Sequence, residues 1–253
     1  MSLFQHSIIK RHLRKLDKEK LETAWQKFTA HFHNSTIQTN IRKAKEEQYQ
    51  EGFLRDLFVN VLGYTLNPDE NFNLTTELKN IKNAKKADGA ILKDKYALAV
   101  IELKGMNIVS LNKAEEQAFG YKNNQPKCVY VITSNFGKLR FYIDNAVEFE
   151  EFNLFQLTKE RFEVLYLCLC AKNLLKNLPK RMKEESITAE EDITKKLYAD
   201  YSLFRKMLFE NIVQNNPTYD KLTLFKKTQK LLDRFLFVFF AEDTGLVLSL
   251  IHI

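Results

Sequence analysis

Two acids and a lysine stand on neighbouring apolar runs. Asp88 lies in Lys86-Ala87-Asp88-Gly89-Ala90-Ile91-Leu92, and Glu102 and Lys104 end the run Tyr96-Ala97-Leu98-Ala99-Val100-Ile101-Glu102-Leu103-Lys104. Hydrolysing a phosphodiester calls for a hard cation held by carboxylate oxygens, a water made nucleophilic beside it, and positive charge near the attacked phosphate. Asp88 and Glu102 can hold Mg²⁺, and Lys104 can orient the water or stabilise developing negative charge. The chain carries 39 Lys and Arg against 32 Asp and Glu, so Glu-x-Lys also arises by chance, and Glu77-Leu78-Lys79 is a second copy. Context separates the two. The second copy follows polar Asn73-Leu74-Thr75-Thr76, whereas Glu102 closes a run that reads as buried, where an unpaired carboxylate costs several kcal/mol unless it is ligated or hydrogen-bonded.

The elements that must position these residues can be read on either side. The two runs are rich in small, β-branched and aliphatic residues and joined by polar Lys93-Asp94-Lys95, which predicts a hairpin. Residues two apart on a strand share a face, so Glu102 and Lys104 point the same way. Upstream, Phe53, Leu54, Leu57, Phe58, Val61 and Leu62 recur at helical spacing, which predicts a helix over 46–62 with Glu51 near its start. A Glu there also suits the positive end of the helix dipole with no further role. Downstream, Lys113 to Tyr121 reads as a short helix, Lys127 to Thr133 as a buried strand and Lys138 to Asp144 as its hairpin partner. Small residues around Phe119 would let that helix lie close to the sheet beside Gln117, which could also simply brace it. The expected order is helix, two or three strands, helix, strand, strand, an α/β fold.

That order, with Glu51, Asp88, Glu102-Leu103-Lys104 and Gln117, resembles the PD-(D/E)XK nuclease superfamily. The block from Gln48 to Leu157 is similar to the amino-terminal region of type IIG restriction enzymes, through Glu51-Gly52-Phe53-Leu54-Arg55-Asp56-Leu57-Phe58, Lys85-Lys86-Ala87-Asp88-Gly89-Ala90-Ile91, Val100-Ile101-Glu102-Leu103-Lys104-Gly105, Glu116-Gln117-Ala118-Phe119-Gly120-Tyr121 and Val131-Ile132-Thr133-Ser134-Asn135-Phe136. In those proteins one polypeptide joins a nuclease domain, a helical connector, an adenine-N6 DNA methyltransferase and a target-recognition domain. The resemblance implies a nuclease-like mixed sheet flanked by helices and followed by an all-α connector. It implies double-stranded DNA as partner, with transient pairing of two copies on DNA, and Mg²⁺ held by Asp88, Glu102 and Glu51. Lys104 would then be catalytic beside Asp88 and Glu102, with Gln117 in support. Ala87 stands where the motif name places proline, a position at which the superfamily often departs. A non-catalytic DNA-binding or assembly module that kept the fold, in a phage-defence methyltransferase, is the alternative.

Composition agrees with an intracellular nucleic-acid enzyme without establishing one. The net charge of +7 suits a polyanionic partner. The basic stretch from Lys10 to Lys20 interleaves acids and leucines and reads as a solvated helix face. Cys128, Cys168 and Cys170 lack any Cys-x-x-Cys pairing with a suitable His, so they are expected as free, buried thiols in a reducing cytosol. His31 and His33 fall where a helical pattern meets polar Asn34-Ser35-Thr36, which predicts a surface turn rather than a metal site. The mixed start and the lack of a run of about 18 apolar residues predict no secretory signal and no membrane span, hence a cytoplasmic location.

Three parts and a tail are expected: a helical segment over 1–45, the nuclease-like unit over 46–157, a helical connector over 158–247 with Pro179 and Pro217 at its joints, and a non-native tail over 248–253. The helix near Thr228–Phe240 is apolar almost all round and calls for cover on every side. In the resembled family the connector leads into the methyltransferase. The chain stops before an Asn-Pro-Pro-Tyr motif or a glycine-rich S-adenosylmethionine loop, so methylation and that cofactor are expected only of a longer protein. Leu248-Ser249-Leu250-Ile251-His252-Ile253 matches one reading frame of a transposon-end adapter used in sequencing libraries, which points to a truncated gene fragment.

Overall fold

The computed structural model describes residues 3–79 and 86–245. The expected tail over 248–253 lies outside them. The chain divides into two compact units, Met1–Ser186 and Ile187–Ile253.

The first unit is built on a six-stranded mixed sheet whose spatial order follows the chain: β1 (Leu74–Lys79), β2 (Lys86–Lys93), β3 (Tyr96–Leu103), β4 (Tyr130–Ser134), β5 (Lys138–Ile143) and β6 (Phe149–Asn153). Every neighbouring pair is antiparallel except β3 and β4, which run parallel. A parallel pair needs a crossover, and helix α5 (Asn112–Lys122) supplies it, packing on β3 and β4. The β2–β3 hairpin turns at Asp94 and Lys95, both at positive φ, the geometry that matches the twist of the flanking strands. β3 is buried along almost its whole length, as expected of a central strand covered on both faces.

Alternation along the strands divides the core in two. Ala87, Val100, Val131 and Tyr142 pack with Ala118 and Tyr121 of α5 on one face. Ala99, Ile101, Leu103, Ile132 and Phe141 face the other way, into the larger cluster. That cluster is closed by α1 (His6–Leu13), α2 (Lys18–Phe32), α3 (Ser35–Lys43), α4 (Glu46–Phe53), a π-helical turn (Leu54–Val59), α6 (Lys159–Leu169) and α7 (Ala171–Leu174). The starts of α2, α3 and α6 are capped by side chains: Asp17 accepts from Lys20 N, Asn34 from Thr36 N and Ile37 N, and Thr158 from Arg161 N. Phe28 and Phe32 stack at 4.9 Å, Phe28 also meets Phe162, and Phe32 meets Phe53 edge to face.

Residues 1–45 share the first unit with the sheet: Trp25 and Phe28 of the apolar stripe meet Phe162 of α6, and Phe32 meets Phe53 of α4. The helix expected over 46–62 is α helical only to Phe53. The widened turn that follows keeps Leu54, Leu57, Phe58, Val61 and Leu62 buried together. The basic stretch near the start is two helices rather than one solvated face: α1 buries Ile8, Ile9 and His12, and Arg11 and His12 both pair with Glu185.

Helix α8 (Leu178–Asn215) begins in the first unit and supplies the second, which adds α9 (Lys221–Asp243). Pro179 sits in the first turn of α8, where a missing N–H is tolerated, and Pro217 falls between α8 and α9. Within the second unit Phe209 meets Phe225 edge to face and Gln229 donates to the Tyr201 hydroxyl. Phe235 to Phe240 stay exposed on α9. Among the described residues no helix is long and apolar enough to cross a membrane.

Candidate active site

Asp88, Glu102 and Lys104 meet where β2 begins and β3 ends. The paired register of β2 and β3 reaches Gly89 and Ile101 at this end. Beyond it the Asp88 carboxylate replaces the ladder, with Oδ2 accepting from Leu103 N at 2.7 Å. Glu102 is 2% exposed, and Lys104 Nζ donates to its Oε1 at 2.8 Å. Glu102 Oε2 is buried without a hydrogen-bond partner among the described residues, as is Thr133 Oγ1 on β4.

A further carboxylate comes from α4. The N–H of Lys45 donates to Gln48 Oε1, which fixes the start of the helix and places Glu46 in its first turn. Glu46 Oε2 accepts from Gly105 N at 3.0 Å and its Oε1 lies 3.8 Å from Lys104 Nζ. Gln50, one turn on, lies near Asp88 and acts to lower its carboxyl. Residues 46, 50, 53 and 57 form one helical stripe, so the face that enters the core at Phe53 and Leu57 carries Glu46 and Gln50 towards the acids.

Glu51 is five residues from Glu46 and points elsewhere. It is exposed and held by Arg55 at 2.9 Å, so the α4 carboxylate beside Lys104 is Glu46 and not the expected Glu51. Gln117 is exposed on α5, one turn before Tyr121, whose phenol it acts to lower. The second Glu-x-Lys behaves as its context predicts: Glu77 is exposed and pairs with Lys86. His31 departs from the expected surface turn. It lies in the last turn of α2, with Nε2 2.8 Å from Tyr49 Oη and 3.1 Å from Asp56. The three cysteines are free and buried, and burial pushes the Cys128 thiol up to about 12 and that of Cys170 to about 11, which suits inert packing.

The electrostatics follow from enclosure. Burial, then the neighbouring charge of Asp88, raises the Glu102 carboxyl from its ordinary 4.5 to about 7 against the pull of Lys104. Burial also raises Asp88, opposed by the Leu103 N–H and by Lys104. For Lys104 burial acts to lower the ammonium, but the hydrogen bond and charge of Glu102, with Glu46 and Asp88, outweigh it and leave it raised. Burial raises the Tyr121 phenol, and the charges of Glu102 and Asp88 add to this.

Sequence reading missed Glu46, Gln50 and Tyr121. The signal for the first two was the stripe that already marked Phe53 and Leu57 as core. Among the described residues no group of three or more His, Cys, Asp or Glu side chains is arranged as a metal cage. Mg²⁺ usually binds through one or two carboxylates and keeps several waters, so the donor chemistry of Asp88 and Glu102, with the partnerless Oε2, fits such an ion. No protein-family model matches the chain, and no curated protein or solved structure matches it either.

Proposed function

We propose that this chain is the nuclease portion of a restriction-modification protein of the PD-(D/E)XK type, hydrolysing phosphodiester bonds of double-stranded DNA with Mg²⁺. The observation that carries the reading is Glu102: a carboxylate 2% exposed, with one oxygen lacking a partner, set beside Asp88 and Lys104. A structural ion pair would be expected to satisfy both oxygens.

Asp88 and Glu102 would hold the cation. Bound there, Mg²⁺ would supply Lewis-acid stabilisation of the attacked phosphate and a more acidic water. Leu103 N–H holds the Asp88 carboxylate in place through Oδ2. Lys104 Nζ carries the positive charge for the phosphate, and its contacts with Glu102 and Glu46 fix the direction of its side chain. Glu46 is a positioning residue, since it also ties Gly105 N and so the chain just after Lys104. The net charge of +7 favours a polyanionic substrate.

The second reading is a non-catalytic DNA-binding or assembly module. It is favoured by the closed contacts of Lys104, whose ammonium is already engaged by two carboxylates. Calorimetric titration of the purified chain with Mn²⁺ separates the two. The nuclease reading predicts binding that is lost in Asp88→Ala and Glu102→Ala; a chain that takes up no Mn²⁺ would favour the non-catalytic module.

A further inference from the structure

Thr133 is fully buried on β4, and its hydroxyl has no hydrogen-bond partner among the described residues. It is the registered partner of Glu102 across the parallel β3–β4 pair, and each shares a strand face with an α5-facing neighbour, Val131 and Val100. The two partnerless oxygens, Thr133 Oγ1 and Glu102 Oε2, thus belong to adjacent residues on one face of the sheet.

On the other flank, too, Thr133 Oγ1 has no hydrogen bond among the described residues. Its registered partner on β5 is Arg140, whose Nε donates to Glu151 at 2.7 Å and whose Nη1 donates to Asn112 Oδ1 at 3.2 Å. Buried hydroxyls and carboxylates go without partners rarely, and ordered water is their usual substitute. Neighbouring strands lie about 4.8 Å apart, and one water hydrogen-bonded to both sides spans up to about 5.6 Å.

We propose that Thr133 is a positioning residue of this site: its hydroxyl and Glu102 Oε2 share one bridging water, which holds the Glu102 carboxylate in its orientation. A carboxylate oxygen has two lone pairs, so the water leaves Oε2 able to meet a second partner. Thr133 thereby does for one oxygen of Glu102 what Lys104 does for the other. The bridge stands on the fold alone; its value for cation binding rests on the nuclease reading.

The test is a metal-free crystal structure of the chain, at a resolution that shows ordered solvent, with Thr133→Val and Thr133→Ser beside it. The wild type should show one solvent oxygen within hydrogen-bonding distance of both atoms, the Ser variant should keep it, and the isosteric Val variant should lose it. A Thr133 hydroxyl bonded to a protein group, or no shared solvent oxygen in the wild type, would overturn the proposal without any variant having to fold. Mn²⁺ titration then reads the positioning role. Thr133→Val should weaken binding by about tenfold or more and Thr133→Ser by no more than about twofold, in line with the cost of removing groups that orient ligands. Equal affinity in wild type and Thr133→Val would overturn the positioning role. A wild type that binds no Mn²⁺ would count against the nuclease reading, with the shared water still deciding whether Thr133 and Glu102 are bridged.

Discussion

Glu102 is the residue on which the site's behaviour turns, and its titration can be followed without any substrate. Its folded carboxyl is raised from 4.5 to about 7, so the folded chain favours the neutral form. That contribution to stability is complete below the unfolded value and is lost as pH climbs through about 7. A shift of this size corresponds to roughly 3 kcal/mol. In EDTA, urea unfolding should therefore show the wild type losing about that much stability relative to Glu102→Gln between about pH 4 and pH 8; parallel curves for the two proteins would remove the buried acid from the account. The central three residues were legible because strand alternation and an apolar run place acids and lysine together with little further information. Glu46 was not, because a Glu at the start of a helix is unremarkable until the direction of the helix is known. Glu51 was expected from the family resemblance and from its place just before the core face at Phe53, yet a step of five residues turns it away from Glu46. Glu51→Ala should leave cation affinity within about twofold of wild type, while Glu46→Gln should weaken it about tenfold, as losing a group that orients Lys104 would.

At the scale of elements, the close seat of the π-helical turn against β2 decides whether Asp88 is held correctly. A Cβ at Gly89 would stand 3.3 Å from both Leu54 Cδ1 and the Thr75 carbonyl oxygen, one residue from Asp88. The side chain of Leu54 can give, but the β1 backbone cannot give without moving the ladder. Gly89→Ala should cost about 1–3 kcal/mol by denaturant unfolding, as overpacking does; an unchanged midpoint would mean that the seat is looser than these distances imply. Strands and α5 were legible from periodicity, and β1 was within the two or three strands expected. The π-helical turn was not, because its apolar spacing satisfies an ordinary helix equally well. β6 was hidden by its adjacent acids, Glu150 and Glu151, which read as surface until Arg161 is seen to pair with Glu150.

For the whole molecule, residues 1–45 are part of the sheet's own core. Phe28, Phe32, Phe53 and Phe162 form one aromatic cluster joining segments that the sequence separates into three parts. Composition marks where polarity changes, not which apolar stripes meet, so these contacts could not be read from the chain. Phe32→Ala should cost about 3–5 kcal/mol of unfolding free energy, measured by urea denaturation, and a 46–157 fragment should fail to unfold cooperatively where 1–186 does so. A cooperative 46–157 fragment would restore the narrower domain.

The claim that Asp88, Glu102 and Lys104 form a cation-dependent nuclease site is tested most directly by nicking of supercoiled plasmid. The purified chain is used at low salt, where phosphate contacts are strongest, with Mg²⁺, Mn²⁺ or EDTA. Nicking should appear with either cation, disappear in EDTA, and fall by at least about 100-fold in Asp88→Ala and Lys104→Ala, beyond the cost of losing an orienting group. Nicking that survives EDTA, or that is equal in wild type and both variants, would contradict the account, as would intact plasmid at saturating Mn²⁺.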